Sequence, residues 1–260
     1  LDTIELTYAK DIWGEDMKIE KETRTQFRKL REKLFKDKIY LLLDSAHREI
    51  FEQEYIWNKF EEEFGLEYTK RYVAVPGYSE HHTGLAIDVC FIYDGHIISE
   101  NPELAESKEI FEVIHKNLAD FGFILRYPKD KEYITSIEFE PWHFRYVGVE
   151  AATVIMDQGI TLEECVTVTN NVVINLNGKT ITSPESVFVV ENGTLTIKGE
   201  GNVNANVDNA EASEGIYATG GTINICGGSF QNFDPTNNVP EGYVVITNED
   251  GSWSVVKEEI

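Results

Sequence analysis

Apolar residues in the first part of the chain recur at the spacing of helices. Phe27, Leu30 and Leu34 keep i, i+3, i+7 spacing inside a charged segment, which predicts an amphipathic helix packed on a core. A second helix is predicted from about Arg48 to Phe64, with Gly65 in the position of a C-terminal left-handed residue. Its predicted buried stripe consists of Phe51, Tyr55, Phe60 and Phe64.

Segments rich in β-branched and aromatic residues alternate with these helices. They predict strands at 39–43, 85–92 and 136–147. Further helices are predicted at 107–121 and at 149–158, the latter closed by Gly159. Helices and strands interleaved at these lengths indicate an α+β fold with a small, mostly antiparallel sheet.

The pattern changes near Cys165, after which Asn, Gly, Thr and Val dominate. A short alternating pattern ending in glycine occurs three times, at 174–178, 195–199 and 223–227. Spacings of 21 and 28 residues between these copies are typical of a β-solenoid, in which each coil buries its apolar face on the next. A β-sandwich with regular hairpins is the alternative. We therefore predict two domains, 1–165 and 166–260, the second all-β.

Charge and cysteine content exclude several classes of protein. The chain has 46 acidic and 23 basic residues, a formal charge of −23, which disfavours nucleic acid and anionic lipid as partners. No apolar stretch reaches the roughly 18 to 20 residues that a transmembrane helix needs. Cys90, Cys165 and Cys226 are odd in number and far apart, which argues against a disulfide framework or a thiolate zinc cluster.

Candidate chemistry is concentrated in two segments. Residues 79–88, Ser-Glu-His-His-Thr-Gly-Leu-Ala-Ile-Asp, carry His81 and Asp88 seven positions apart, and His143 follows downstream. Two histidines and one carboxylate form a three-ligand set that leaves the fourth position of zinc for water, as in catalytic sites. Ordinary hydrogen-bonded core histidines are the alternative. Cys90 shares a strand face with Asp88, and a buried inert thiol is favoured there over a fourth ligand.

Metal-assisted hydrolysis also needs a base, and Glu140 lies three residues before His143. Residues i and i+3 of a flat strand face opposite sides of the sheet. Pro141 cannot donate a ladder hydrogen bond, so a break at this residue would let both side chains converge.

These residues resemble the zinc D-Ala-D-Ala peptidases of the VanY and VanX type, whose signature is Ser-x-His-x-x-Gly-x-Ala-x-Asp followed by Glu-x-x-His. Every fixed position is present here. The segments 123–128 (Phe-Ile-Leu-Arg-Tyr-Pro) and 140–148 (Glu-Pro-Trp-His-Phe-Arg-Tyr-Val-Gly) look particularly like the VanY-type carboxypeptidases. The resemblance covers roughly residues 20–164 and implies their α+β fold.

The resemblance also implies roles for individual residues. His81, Asp88 and His143 would bind Zn²⁺, and Glu140 would be the general base and later the acid. The family segment Ser-x-Tyr-Arg-Ser-x-x-x-Gln corresponds here to Ser45, Arg48 and Gln53, with His47 and Glu49 in place of the usual Tyr and Ser. Arg48 is therefore expected to bind the substrate carboxylate or the oxyanion, and Gln53 is expected to lie with it at the substrate. Ser79 is expected to contact substrate or to orient the metal loop, with a turn hydroxyl as the alternative, and Trp142 is expected to line the substrate cleft, with core packing as the alternative.

The expected activity is removal of the terminal D-alanine from peptidoglycan stem peptides. L,D-carboxypeptidase activity on the tetrapeptide stem is a close alternative. A second alternative is a cell-wall-binding or adhesin protein whose function resides in the repeats of 166–260. The substrate implies an extracellular or cell-wall location, although dipeptidase relatives work in the cytoplasm. Apolar rows in the C-terminal domain are compatible with a homo-oligomer.

Overall fold

The computed structural model describes residues 4–162, 166–183, 186–205 and 215–258. The chain divides into two compact units, and the division follows Leu162. Cys165, where the sequence predicts the boundary, lies outside the described residues. Among the residues described, no helix is both long and apolar enough to cross a bilayer.

The N-terminal unit combines short strands with helices. Its strands are β1 (Leu6–Lys10), β2 (Asp16–Glu20), β3 (Tyr40–Ser45), β4 (Ala86–Tyr93), β5 (His96–Ile98), β6 (Phe123–Leu125) and β7 (His143–Tyr146). Its α-helices are α1 (Lys21–Phe35), α2 (Ile50–Phe64), α3 (Leu66–Tyr72), α4 (Asn101–Glu106), α5 (Lys108–His115), α6 (Glu132–Thr135) and α7 (Val149–Gln158). Single turns of 3₁₀ helix occur at Glu80–Thr83 and Ala119–Phe121. The α+β class is confirmed.

Helix α1 forms where the apolar spacing predicts it. The Glu20 side chain caps its N-terminus by accepting hydrogen bonds from the Glu22 and Thr23 amides. Phe27, Leu30 and Leu34 are almost completely buried, as predicted. Each such side chain contributes roughly 1.5 to 3 kcal/mol of burial free energy, so this stripe fixes the helix on the sheet.

The sheet has the strand order β3-β4-β7-β6, with β5 paired to the other end of β4, and every pairing is antiparallel. Its core includes Phe91, Phe123 and Phe144, all completely buried. The small antiparallel sheet is therefore confirmed. Because β4 lies between β3 and β7, side chains from three separate parts of the sequence meet across it.

Two local predictions are wrong. Phe51 and Tyr55 were expected on the buried side of α2, but they are 67% and 70% exposed, and the buried residue of this helix is Gln53. Gln53 hydrogen-bonds Arg48 and the Ala74 carbonyl, and Ile56 and Phe60 line the cleft together with it. The strand predicted for 136–147 is formed only at β7, because Pro141 lies in a turn and cannot join a ladder.

The C-terminal unit is built of strands. They are β8 (Val166–Val168), β9 (Val172–Asn175), β10 (Lys179–Thr182), β11 (Phe188–Val190), β12 (Thr194–Lys198), β13 (Gly201–Asn204), β14 (Ile216–Ala218), β15 (Thr222–Cys226), β16 (Gly228–Gln231), β17 (Tyr243–Thr247) and β18 (Trp253–Lys257). Three parallel ladders, β8-β11-β14, β9-β12-β15 and β10-β13-β16, take one strand from each of three successive segments. The antiparallel pair β17-β18 extends the last ladder beyond β16.

The register of the repeats differs from the predicted one. Leu195 pairs with Val172 on one side and with Ile223 on the other, so the observed spacings are 23 and 28 residues. The sequence pattern had matched Leu195 to Ile174. A shift of two residues preserves the alternation of apolar positions, so hydrophobicity alone cannot distinguish the two registers.

Candidate metal centre

Three neighbouring strands place one side of the centre. Asp88 on β4 pairs with Ser45 at the end of β3 and with His143 at the start of β7. Cross-strand partners lie about 4.5 to 5.5 Å apart, so this pairing alone brings Asp88 and His143 together. A β-bulge between Leu43 and Ser45 shifts the register of β3 just before the Ser45–Asp88 pair.

His81 comes from the 3₁₀ turn that leads into β4. Ser79 begins this turn, and its Oγ accepts a 3.4 Å hydrogen bond from the His81 amide. Gly84 ends it in the left-handed region, at φ 67°, and a Cβ there would lie 2.9 Å from the Glu20 backbone nitrogen. A glycine is therefore required for the chain to turn from His81 into β4 at this point.

The three candidate ligands form one buried group. Asp88 Oδ2 lies 3.1 Å from His81 Nε2, and Asp88 Oδ1 lies 3.0 Å from His143 Nδ1. Ligand atoms from all three residues lie within 4.8 Å of one another. Both histidines are only 4% exposed. The structure therefore assembles His81, Asp88 and His143 into a candidate metal site.

The donor atoms suit a zinc ion. His81 Nδ1 donates to the carbonyl oxygen of Ala46 at 2.6 Å, which leaves Nε2 with its lone pair directed toward Asp88. Asp88 Oδ1 is buried and has no well-aligned hydrogen bond among the described residues. Burial would raise the pKa of Asp88, but the two imidazoles hold it well below its usual range. Nitrogen and carboxylate donors in this number match zinc.

Glu140 and His143 occupy the two ends of a tight turn. The His143 amide donates to the Glu140 carbonyl at 3.2 Å, with Pro141 in the second position, which that residue favours. Glu140 Oε2 lies 3.6 Å from His143 Nδ1, so the two side chains converge as the break at Pro141 predicts. Burial raises the pKa of Glu140 to about 8, assisted by Asp88 and opposed by His143 and Arg48.

Arg48 lies on the open side of the group. Its guanidinium donates to Gln53 Oε1 at 2.6 Å and to Ser45 Oγ at 3.0 Å, and lies 3.8 Å from Asp88 Oδ2. Gln53 is buried and also donates to the Ala74 carbonyl at 2.8 Å. These contacts hold a fixed positive charge beside the metal group.

A cleft opens onto this group. Its lining includes Arg48, Gln53, Ser79, Glu140 and Trp142, so each residue expected to contact substrate or act in catalysis borders it, together with the three ligands. Trp142 also packs against the core, so it belongs to the cleft wall and to the core at once. Cys90 is buried in that core as predicted, where burial raises the pKa of its thiol to about 12.

Sequence reasoning missed a group of charges behind His143. Glu80 Oε1 accepts from Arg126 Nε at 2.7 Å and lies 3.5 Å from Arg145 Nη1, while its Oε2 lies 3.6 Å from His143 Nε2. The only sequence signal was the position of Glu80 between Ser79 and His81. His82, next to the candidate ligand His81, connects the loop to β3 and α2 through a 2.7 Å contact between its Nδ1 and the Arg48 carbonyl.

Comparisons with a family model and with curated proteins match the N-terminal part of the chain. A family model described as VanY, D-alanyl-D-alanine carboxypeptidase, matches residues 16–149, just over half of the chain. The bifunctional D-Ala-D-Ala dipeptidase and carboxypeptidase VanXYC of Enterococcus gallinarum is 40% identical over 151 residues, which are 57% of this chain and 77% of the relative. The chain spans less than half the length of three further curated relatives.

Two solved structures extend the likeness to the fold. The D,D-pentapeptidase VanY of a VanB-type resistance cassette, solved in complex with Zn(II), has a TM-score of 0.53 at 32% identity and covers 63% of this chain and 90% of its own. VanYB in complex with D-alanine-D-alanine has a TM-score of 0.53 at 31% identity, and the match covers 63% of this chain and 89% of VanYB. On the matched residues and the geometry of its metal group, the chain belongs to the VanY family of D-alanyl-D-alanine carboxypeptidases.

Proposed function

We propose that the N-terminal unit is a zinc carboxypeptidase that removes the terminal D-alanine from peptidoglycan stem peptides. The observation that carries this proposal is a buried His-Asp-His group with an independent carboxylate, Glu140, 3.6 Å from one of its members. A relative that acts on D-Ala-D-Ala and a solved structure that binds it support the choice of substrate.

In this proposal His81, Asp88 and His143 would hold zinc, and zinc bound there would supply a water molecule of lowered pKa and polarise the scissile carbonyl. Glu140 would take the proton from the attacking water and deliver it to the nitrogen of the departing D-alanine. A pKa raised to about 8 fits a group that must both accept and donate a proton near neutrality. Burial of Glu140 among the cleft residues keeps this transfer away from bulk solvent.

We assign substrate recognition to Arg48 and the groups around it. A guanidinium held by Gln53 and Ser45 presents fixed donors to a carboxylate or to the oxyanion. Gln53 uses both ends of its amide on the protein, so it contributes by orienting Arg48 in the cleft. Ser79 and Trp142 border the same cleft and complete the proposed contact set.

Product analysis with two synthetic substrates tests the activity. Zinc-loaded protein is incubated separately with a stem pentapeptide ending in D-Ala-D-Ala and with the tetrapeptide, and products are identified by mass. We expect the loss of one alanine from the pentapeptide. Loss from the tetrapeptide alone would move the assignment to L,D-carboxypeptidase, and loss from neither by zinc-loaded protein would remove both versions.

Zinc binding should become tighter as the pH rises. In the metal-free site, burial opposes a charged His143, but carboxylates led by Asp88 raise its pKa to about 10, so zinc must displace one proton from this ring. The pKa of Glu140 is raised to about 8, so below about pH 8 this carboxyl is mostly protonated in the metal-free site. A zinc ion nearby favours the ionised form, so zinc binding releases a second proton there. We expect the apparent affinity, measured against a chelating dye, to rise more than about tenfold per pH unit below about pH 8.

Glu140→Gln is the matched control for this pH dependence. It removes the second titrating group and leaves the three ligands, so the slope should fall to about tenfold per pH unit. Equal slopes for the variant and the wild type would show that Glu140 is already ionised in the metal-free site.

For the C-terminal unit we propose a β-solenoid that binds the cell wall. Three parallel ladders that each take one strand from three successive segments support the solenoid assignment. A continuous apolar core of buried Leu195, Ile197, Ile223 and Ile225 runs between neighbouring segments. The proposed substrate of the N-terminal unit favours an extracellular or wall-associated location.

A sedimentation assay with purified cell walls tests the binding role. The full chain is compared with a chain ending at residue 165, and both are checked for D-alanine release. We expect the shorter chain to retain hydrolysis but to lose most of its wall retention. Undiminished retention of the shorter chain would remove the binding role from residues 166–260.

A further inference from the structure

A buried charged group lies behind His143, on the side opposite the cleft residue Glu140. It consists of Glu80, Arg126 and Arg145, whose side chains are 15%, 10% and 19% exposed. Both guanidinium groups approach Glu80 Oε1, at 2.7 Å from Arg126 Nε and 3.5 Å from Arg145 Nη1. The proposed catalytic steps use none of these three residues.

The second oxygen of Glu80 faces a ligand histidine. Glu80 Oε2 lies 3.6 Å from His143 Nε2, and both atoms are buried without a hydrogen-bond partner among the described residues. Glu80 Oε2 can accept a hydrogen bond, and His143 Nε2 can donate one when it carries a proton. His143 Nδ1 faces Asp88 and Glu140 on the metal side, so coordination through Nδ1 requires the ring proton to be on Nε2.

We propose that Glu80 is a positioning residue that accepts the Nε2 proton of His143 and thereby fixes the tautomer and orientation of this zinc ligand. The inference rests on the proposed zinc site. Ligand histidines commonly donate their second nitrogen to a carboxylate, which orients the ring and makes it a stronger ligand. The two arginines hold Oε1 of Glu80, so Oε2 is directed at the histidine.

The backbone holds Glu80, the two arginines and His143 close to one another. His143 and Arg145 are two residues apart on β7 and share a face of the sheet. The Arg126 amide donates to the His143 carbonyl at 3.2 Å, so both arginines are fixed relative to the ligand strand. Glu80 is adjacent to His81, so one 3₁₀ turn supplies a ligand to the metal and a partner to the second histidine.

Glu80→Gln tests this role in the full-length zinc-loaded protein. The change preserves the side-chain shape but removes the charge that favours the Nε2 proton. We expect zinc to dissociate into excess chelator about 10- to 100-fold faster than from the wild type. Glu138→Gln is the matched control, because Glu138 also pairs with an arginine, Arg71, near the cleft, and it should leave zinc release unchanged.

Ring nitrogen chemical shifts of the wild-type protein give a test that depends on no variant. With zinc bound, ¹⁵N spectra should show His143 protonated at Nε2 and His81 protonated at Nδ1, where it donates to Ala46. A proton on His143 Nδ1, or zinc release unchanged in a folded Glu80→Gln protein that still releases D-alanine, would overturn the role of Glu80. Failure of the wild type to bind zinc would instead contradict the proposed function.

Discussion

Glu140→Gln is expected to lower the rate of D-alanine release from a stem pentapeptide by about 10²- to 10⁴-fold while zinc remains bound. The carboxylate lies 3.6 Å from His143 Nδ1 and borders the cleft, but it is not part of the His81, Asp88 and His143 group. The amide keeps the shape of the side chain and can neither take a proton from water nor deliver one to the leaving nitrogen. Release assays and metal analysis of the same preparation measure both quantities.

Glu138→Gln is the control for this prediction. It makes the same change two residues earlier, at a carboxylate already paired with Arg71, and activity should stay within a few fold of the wild type. If Glu140→Gln kept full activity and Glu138→Gln lost it, Glu138 would be the base. Loss of zinc from Glu140→Gln would instead show that Glu140 contributes to metal binding.

Asp88→Asn is expected to weaken zinc binding by more than about 100-fold. Replacing a residue that only orients a ligand already lowers metal affinity by about 10- to 100-fold, and loss of a ligand should lower it further. Asp88 is the anionic member of the candidate ligand group and lies within 3.1 Å of both histidines. The neutral amide is a poor zinc ligand, and it also removes the charge that balances the cation. Metal content after dialysis and competition with a chelating dye measure the loss, and D-alanine release should fall with it.

Asp44→Asn is the comparison for Asp88→Asn. Asp44 borders the same cleft and adds negative charge near Asp88, but it is not a member of the ligand group. Its replacement should change zinc affinity only a few fold. Stoichiometric zinc retained by Asp88→Asn after dialysis would remove Asp88 from the ligand set.

The sequence predicted those parts of the fold that depend on local pattern. The α1 stripe was predictable because burial of Phe27, Leu30 and Leu34 follows directly from helical spacing. The grouping of His81, Asp88 and His143 was predictable because these residues match the metal signature of the VanY and VanX peptidases; their spacing alone left ordinary core histidines as an alternative. The turn at Pro141 was predictable because proline cannot join a ladder.

Features set by tertiary contacts were not predictable. Glu80, Arg126 and Arg145 are far apart in sequence and meet only after the sheet forms, so no local pattern indicates their grouping. The inward side of α2 carries Gln53, whose hydrogen-bond partner Arg48 and acceptor Ala74 come from outside this helix, so the aromatic spacing alone did not indicate it. The pairing of Leu195 with Val172 in place of Ile174 could not be predicted, because a shift of two residues leaves the alternation of apolar positions in the strand unchanged.

The parallel ladders of the C-terminal unit make its length adjustable in steps. Each successive segment adds one strand to every ladder, and neighbouring strands are about 4.8 Å apart. Duplicating or deleting one segment would therefore lengthen or shorten every ladder by about that distance. The candidate ligands all precede residue 162, so a change in the number of segments would leave the candidate metal site unaltered.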